Sequence, residues 1–151
     1  MAVSTTQSIW RSGGGDQTRT AYCGSGVMAA QFYIADASVA TATNVKVSST
    51  AGAPALILPA GAVVTGVVIN DAGTGSVDLG TVGYTSGTAS GAAIANGLSV
   101  AAAGVITSGL TLTSISAMSY VTVTIDTSGA GTVGGYITYF VVDPLAGQQN
   151  D

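Results

Sequence analysis

The stretch YVTVTIDTSGAGTVGGYITYFVV at residues 120–142 decides the fold. Its two ends alternate apolar and polar residues with a period of two, which is typical of β-strands that bury one face. The predicted inward residues are Val121, Val123 and Ile125 in the first run and Val133, Ile137, Tyr139 and Val141 in the second. Asp126–Gly131 lies between the runs and is rich in glycine and serine, which predicts a hairpin loop.

Short β-branched runs recur upstream, separated by Gly, Ser, Asn, Asp or Pro. The further predicted strands are Phe32–Ile34, Thr41–Val47, Ala62–Ile69, Ser76–Val82, Ile94–Val100 and Leu110–Ser114. The alanine-rich part after residue 89 contains repeated glycines, each of which costs about 1 kcal/mol in a helix, so no long helix is expected. About eight strands predict an all-β protein, an antiparallel β-sandwich or jelly roll, with the strand order left open.

The chain divides at residue 26 into an extended N-terminal arm, 1–26, and a β-sandwich domain, 27–151. The arm is polar and glycine-rich, and it holds the only tryptophan, Trp10. Trp and Arg are enriched as anchors at protein interfaces, so Trp10, Arg11 and Arg19 are the candidate partner-binding residues. Packing of the arm on its own domain is the alternative.

The inventory of reactive side chains is unusually small. The 151 residues include no His, no Glu, one Cys (Cys23) and three basic residues, and charged residues make up 7% of the chain. Acids, bases and metal ligands come mainly from the missing types, so we expect no enzyme, no cofactor and no metal. Lys46 is the remaining candidate base, but its place between Val45 and Val47 predicts a solvated side chain, and Cys23 is expected to be an inert thiol.

Three motifs are similar to known chemical sites, but each is better explained as a turn. Gly129–Gly134 has the G-x-G-x-x-G spacing of dinucleotide-binding loops, but a strand and not a helix follows it, which favours a turn. Asp126–Gly129 has an inserted serine compared with the Asp-Thr-Gly loop of aspartic proteases. Asp71–Asp78 offers two carboxylates for Ca²⁺ without EF-hand spacing, and Asp36, Asp71, Asp126 and Asp143 all lie in turn-like contexts.

Charge and hydropathy argue against nucleic acid and membrane partners, and low charge favours association between copies. A chain with three basic residues and a net charge of −4 cannot neutralise the phosphates that nucleic-acid binders contact. The most apolar segment, 53–69, is too short and too often interrupted by Pro and Gly to span a membrane. So weakly charged a surface gives little repulsion between copies, so we expect a homo-oligomer or a docked subunit.

Three segments resemble the small virion structural proteins of tailed bacteriophages, and most closely their capsid decoration (cement) proteins. They are Leu58–Val64 leading into Val67–Ile69, then Val77–Gly80, and finally Tyr120–Ile125 with its glycine-rich turn and aromatic return strand. The resemblance implies a β-sandwich subunit, often trimeric, on the capsid exterior, where it binds the major capsid protein and strengthens the shell. No catalytic residue is implied.

Two mechanisms of binding follow as expectations. In the first, each subunit buries one face against its oligomer mates while the arm reaches a neighbour or the shell, and many copies clamp the lattice through multivalency. In the second, the chain is a surface adhesin or receptor-binding module of a virion or cell surface. The adhesin hypothesis predicts exposed aromatic side chains along a groove, with Tyr84, Tyr120 and Tyr136 as candidates.

Overall fold

The computed structural model describes residues 27–142, which form two antiparallel β-sheets. The nine strands are β1 (Met28–Ile34), β2 (Thr43–Asn44), β3 (Ile57–Leu58), β4 (Ala62–Asp71), β5 (Thr74–Gly83), β6 (Ser90–Ser99), β7 (Gly104–Ile106), β8 (Ser119–Ala130) and β9 (Val133–Val141). Sheet A has the order β1-β9-β4-β7. Sheet B has the order β2-β8-β5-β6, with β3 also paired to β8. The predicted all-β antiparallel sandwich is confirmed.

A folded two-stranded ribbon, in which the length β4–β5 pairs with the length β8–β9, forms the centre of both sheets. β4 pairs with β9 in sheet A, from Ala62↔Val141 to Asp71↔Gly134. The same two lengths of chain continue into sheet B, where β5 pairs with β8 from Thr74↔Ala130 to Gly83↔Ser119. The ribbon therefore bends once, at residues 72–73 and 131–132, and lays its second half over its first.

This corner corrects the predicted hairpin. β8 extends to Ala130 and pairs with β2, β3 and β5, whereas β9 pairs with β1 and β4, so Asp126–Gly131 is mostly strand and the connection crosses between layers. Register shifts flank the bend on both sides, and bulges of this kind let strands turn from one sheet into another. Gly75 has φ +74° and approaches the Thr127 carbonyl, a conformation and spacing that exclude a side chain.

The core lies between the two layers and takes side chains from both. Its largest fully buried members are Phe32, Ile34, Leu58, Ile69, Leu79, Leu98 and Ile137. Of the predicted inward positions, Val121, Val123, Val133 and Ile137 are buried, while Ile125, Tyr139 and Val141 are half-buried. Thr122, predicted on the outer face, is 2% exposed, so β8 is covered on both faces at this point. In the part of the chain described, every buried side-chain polar atom has a hydrogen-bond partner.

Two of the upstream strand predictions need correction. Leu110–Ser114 is not a strand: Leu110 makes one bridge to Ala95, and Leu112 has φ +54°, which breaks an extended backbone. Thr41–Val47 shortens to Thr43–Asn44 plus an isolated bridge at Lys46. The short strand Gly104–Ile106 was not predicted, because three residues are too few to show alternation. Across residues 27–142 no helix is long and apolar enough to cross a membrane.

Candidate functional site

The residues of the predicted arm cannot be located on this framework. Trp10, Arg11, Arg19 and Cys23 all lie outside the described residues. The interpretation of residues 1–26 as a docking arm stays a prediction. The site is therefore built from the surfaces of residues 27–142.

Lys46 has the environment that its neighbours predict. Its side chain is exposed, while Val45 is 1% exposed. Its backbone joins β1 to the following segment, because Tyr33 N–H donates to the Lys46 carbonyl at 2.7 Å and Lys46 N–H donates to the Tyr33 carbonyl at 3.0 Å. The predicted solvated orientation is confirmed.

Three aspartates accept hydrogen bonds within the fold. Asp36 accepts from the Ser38 hydroxyl at 2.6 Å and the Ser38 N–H at 2.8 Å; these two bonds, the hydroxyl first, lower the pKa of Asp36 below its usual value. Asp78 lies in β5 and accepts from the Gly97 N–H at 2.8 Å. The expected turn at Asp126 is wrong, since this residue lies in β8 and accepts from the Ser76 hydroxyl at 2.7 Å.

The remaining chemical motifs have structural roles where they are described. Gly129–Gly134 ends β8, forms the corner and begins β9, so the predicted strand after the glycines is confirmed and no helix N-terminus faces the loop. Asp71 ends β4 and Asp78 lies inside β5, so the candidate calcium loop is two strand ends and a two-residue bend. Within residues 27–142, no three Asp or Cys side chains group closely enough to hold a metal ion.

A shallow depression of about 390 Å³ lies beside β7. It is lined by Ser99 and residues 102–108, which are small apolar and hydroxyl side chains. None of these side chains ionises, so the depression offers no acid or base for proton transfer.

Two of the three candidate tyrosines meet, and the third lies elsewhere. The rings of Tyr84 and Tyr120 are 5.3 Å apart at an interplanar angle of 33°. Ile57 pairs with Tyr120 across the strands, and the Met118 carbonyl accepts the Tyr84 N–H at 3.0 Å, so the backbones of Ile57 and Met118 lie beside the pair. Tyr136 lies on sheet A. The three candidate tyrosines therefore do not share one surface.

Among residues 27–142, the charged side chains lie in one half of the sandwich. The five ionisable residues other than tyrosine in this range are Asp36, Lys46, Asp71, Asp78 and Asp126. Asp71 and Asp36 lie at the corner, since Asp71 pairs with Gly134 and the Ala37 N–H donates to the Gly131 carbonyl. Asp78 lies four residues after the start of β5, and Asp126 lies four residues before the end of β8, so both are near the bend. Lys46 is near the corner too, because it bridges to Tyr33, which pairs with Gly134 at the start of β9.

The opposite end of the sandwich carries exposed apolar side chains instead. We call it the apolar end and define it by Val27, Met28, Ile57, Tyr84, Met118 and Val142, which are 37–70% exposed. The two sheets come together here. The Gly61 N–H, directly before β4 of sheet A, donates to the Ile115 carbonyl at 2.7 Å. Three residues further on, the carbonyl of Met118, directly before β8 of sheet B, accepts the Tyr84 N–H at 3.0 Å. Val27 and Val142 bound the described chain, so residues 26 and 143 both continue from this end.

Comparison of the chain with protein-family models, with curated proteins and with solved structures gave no match. The apolar end and the charged corner are thus the features that distinguish the surface. The sequence did not reveal the apolar end, because its members come from five separated turns and strand ends.

Proposed function

We propose that the chain is a non-catalytic structural subunit of a virion. In this proposal it is a head decoration (cement) subunit of a tailed bacteriophage that binds the major capsid protein on the capsid exterior and stabilises the shell. The apolar end, whose members within residues 27–142 are all uncharged, is the observation that carries the proposal. A surface of this kind suits docking on another protein, where charged residues are depleted from the buried centre of an interface.

The mechanism is additive binding of many identical subunits. A rigid sandwich with a satisfied polar interior keeps its shape when it docks. Each copy contributes a modest contact, and copies linked to one another bind the lattice at a high effective concentration. Stabilisation of the shell follows from mass action, since a ligand that binds only the assembled lattice shifts the equilibrium towards it.

The test is reconstitution on shells that lack the protein. Purified full-length chain is added to such shells, and copies per particle and the temperature of shell disruption are measured. Bound copies and a raised disruption temperature are the expected results. Absence of binding at micromolar concentrations would reject the proposal.

Two deletions then test the arm. Removal of residues 1–26 should abolish occupancy, whereas removal of residues 143–151 serves as the matched control at the same end of the sandwich. Far-UV circular dichroism of both variants checks that the sandwich is intact. Unchanged occupancy without residues 1–26 would reject the arm as the anchor.

The alternative is a surface adhesin or receptor-binding module, and the Tyr84–Tyr120 pair favours it. Exposed aromatic pairs stack on sugar rings and on apolar ligands, and Tyr84 is 45% exposed. Under this alternative, Tyr84→Ala lowers adsorption to host cells and leaves shell occupancy unchanged. Tyr136→Ala is the control, because Tyr136 is 40% exposed on the other sheet.

A further inference from the structure

We infer that Asn96–Gly97 in β6 is a latent modification site, at which the asparagine converts itself to aspartate or isoaspartate once Asp78 releases the Gly97 N–H. Asp78 is a positioning residue in this inference, because its carboxylate accepts that N–H at 2.8 Å. The inference goes beyond the proposed function and is independent of it, since it concerns the chemistry of one backbone site.

The site lies at a bulge between β5 and β6. The register of the two strands shifts by one residue between the pairs Val77↔Leu98 and Leu79↔Ala95. Asn96 and Gly97 therefore lie together opposite Asp78, the single residue between those pairs on β5. Gly97 has φ +65°, a conformation that favours glycine. The bulge thus places a glycine directly after an asparagine and brings its N–H within reach of a carboxylate.

Glycine directly after asparagine makes a pair that can react with itself. The Gly97 nitrogen attacks the side-chain carbonyl carbon, Cγ, of Asn96 and gives its proton to water. The side-chain nitrogen takes up a proton from water and leaves as ammonia, which completes a five-membered succinimide ring. Water then adds to one of the two ring carbonyls and opens the ring to aspartate or isoaspartate. Asparagine is thermolabile for this reason, and glycine has no Cβ to hinder the attack.

Asn96 is distinguished from the other asparagines of residues 27–142 by the residue that follows it. Exposure does not distinguish it, because all three asparagines are exposed. Asn44 precedes Val45, which is β-branched and buried, and Asn70 precedes Asp71. Both of these following residues carry a side chain that hinders the attack. Asn44 and Asn70 are therefore internal references within the same molecule.

Asp78 holds the reactive nitrogen in two ways. Ring closure moves the Gly97 nitrogen onto the Asn96 side chain and so breaks its hydrogen bond to the Asp78 carboxylate. The nitrogen must also lose its proton, and a neighbouring negative charge disfavours that loss. The Asn96 N–H is held as well, because it donates to the Gly109 carbonyl at 2.8 Å. The pair therefore stays unreacted while the bond to Asp78 is intact.

The reaction changes both the charge and the backbone of β6. It adds one negative charge to a chain with a formal net charge of −4. Isoaspartate also adds a carbon to the backbone between Ala95 and Leu98, which are both 0% exposed. Pairing of β6 with β5 is then disturbed at the bulge.

The experiment compares the full-length wild type with Asp78→Ala and Asp126→Ala. Asp126→Ala is the matched control, because it removes a carboxylate from the same neighbourhood. The Asp126 Oδ2 atom lies 3.3 Å from the place of a Cβ on Gly97, but it accepts the Ser76 hydroxyl and not the Gly97 N–H. The proteins are incubated in mildly alkaline buffer, and peptide mass spectrometry measures conversion at each asparagine. Circular dichroism checks folding.

Asn96 should convert about ten- to a hundredfold faster in Asp78→Ala than in the wild type, which is the effect of losing a hydrogen bond to a charged group. Asp126→Ala should match the wild type, and Asn44 and Asn70 should convert slowly in every variant. If Asp78→Ala does not fold, Asp78→Leu keeps the bulk without an acceptor and is read in the same way. Equal rates in the wild type and Asp78→Ala overturn the inference, as does equal acceleration by Asp126→Ala.

A conservative variant separates the hydrogen bond from a general loss of stability. Asp78→Asn keeps an oxygen that accepts the Gly97 N–H, so its rate should lie nearer to the wild type than to Asp78→Ala. Urea unfolding gives the free energy of unfolding of each variant. Rates that follow this free energy, and not the presence of an acceptor at position 78, overturn the inference. A native wild type that converts at Asn96 as fast as the urea-unfolded chain does so too.

Discussion

At the residue scale, glycines in the strands let neighbouring chains approach closely. Gly80 is buried in β5, and a Cβ there would run into the Ser90 carbonyl on β6. Gly135 in β9 has the same relation to the Val68 carbonyl of β4. Both contacts involve backbone atoms, which cannot move aside like the end of a flexible side chain. The glycine content of the chain is therefore partly a packing requirement of the layers.

The substitution Gly80→Ala tests this point. It should lower the free energy of unfolding by about 1–3 kcal/mol, since an added methyl in a packed layer forces the backbone apart. Gly91→Ala is the matched control in β6, where a Cβ meets nothing within 4 Å. Its stability should be unchanged or raised by about 0.4–1 kcal/mol. Urea unfolding gives both values, and equal losses in the two variants would contradict the packing argument.

At the element scale, the sequence predicted the central strands well and the peripheral ones poorly. The alternation in β8 and β9 predicted the most buried apolar positions, because ten or so residues show a period of two clearly, but not the burial of Thr122 on the opposite face of β8. The corner was not predictable, since glycine and threonine at residues 131–132 suit a hairpin as well as a crossing between sheets. β2 and β3 have two residues each, so only the tertiary pairing with β8 defines them.

Amide hydrogen exchange should follow the same division. Amides of β5 and β8 should exchange slowest, because each strand has neighbours on both sides and covers the core. Amides of β7, a three-residue strand at the edge of sheet A, should exchange much faster. Mass spectrometry of proteolytic fragments after deuterium labelling measures both. Protection of β7 equal to that of β8 would show that the ribbon is not the most stable unit.

At the scale of the whole molecule, the charged side chains of residues 27–142 all lie in the half of the sandwich next to the corner. The low charge and the all-β class were evident from composition and pattern. The separation of charge was not, because Asp36, Asp78 and Asp126 are far apart in sequence and become neighbours of the corner only after the ribbon folds. Candidate surfaces of this protein thus depend on topology, which alternation alone leaves open.

The position of the two chain ends has a mechanical consequence. Val27 and Val142 extend from adjacent antiparallel strands at the same end, so a pull between them opens the β1–β9 ladder one rung at a time. Handles at Val27 and Thr132 would instead load every rung at once, along the strand axis. Optical-tweezers unfolding should therefore give a lower rupture force for the first attachment, and equal forces would contradict the ladder geometry. A subunit held by both tails yields easily by peeling, while a load along its strands meets the full resistance of the sheet.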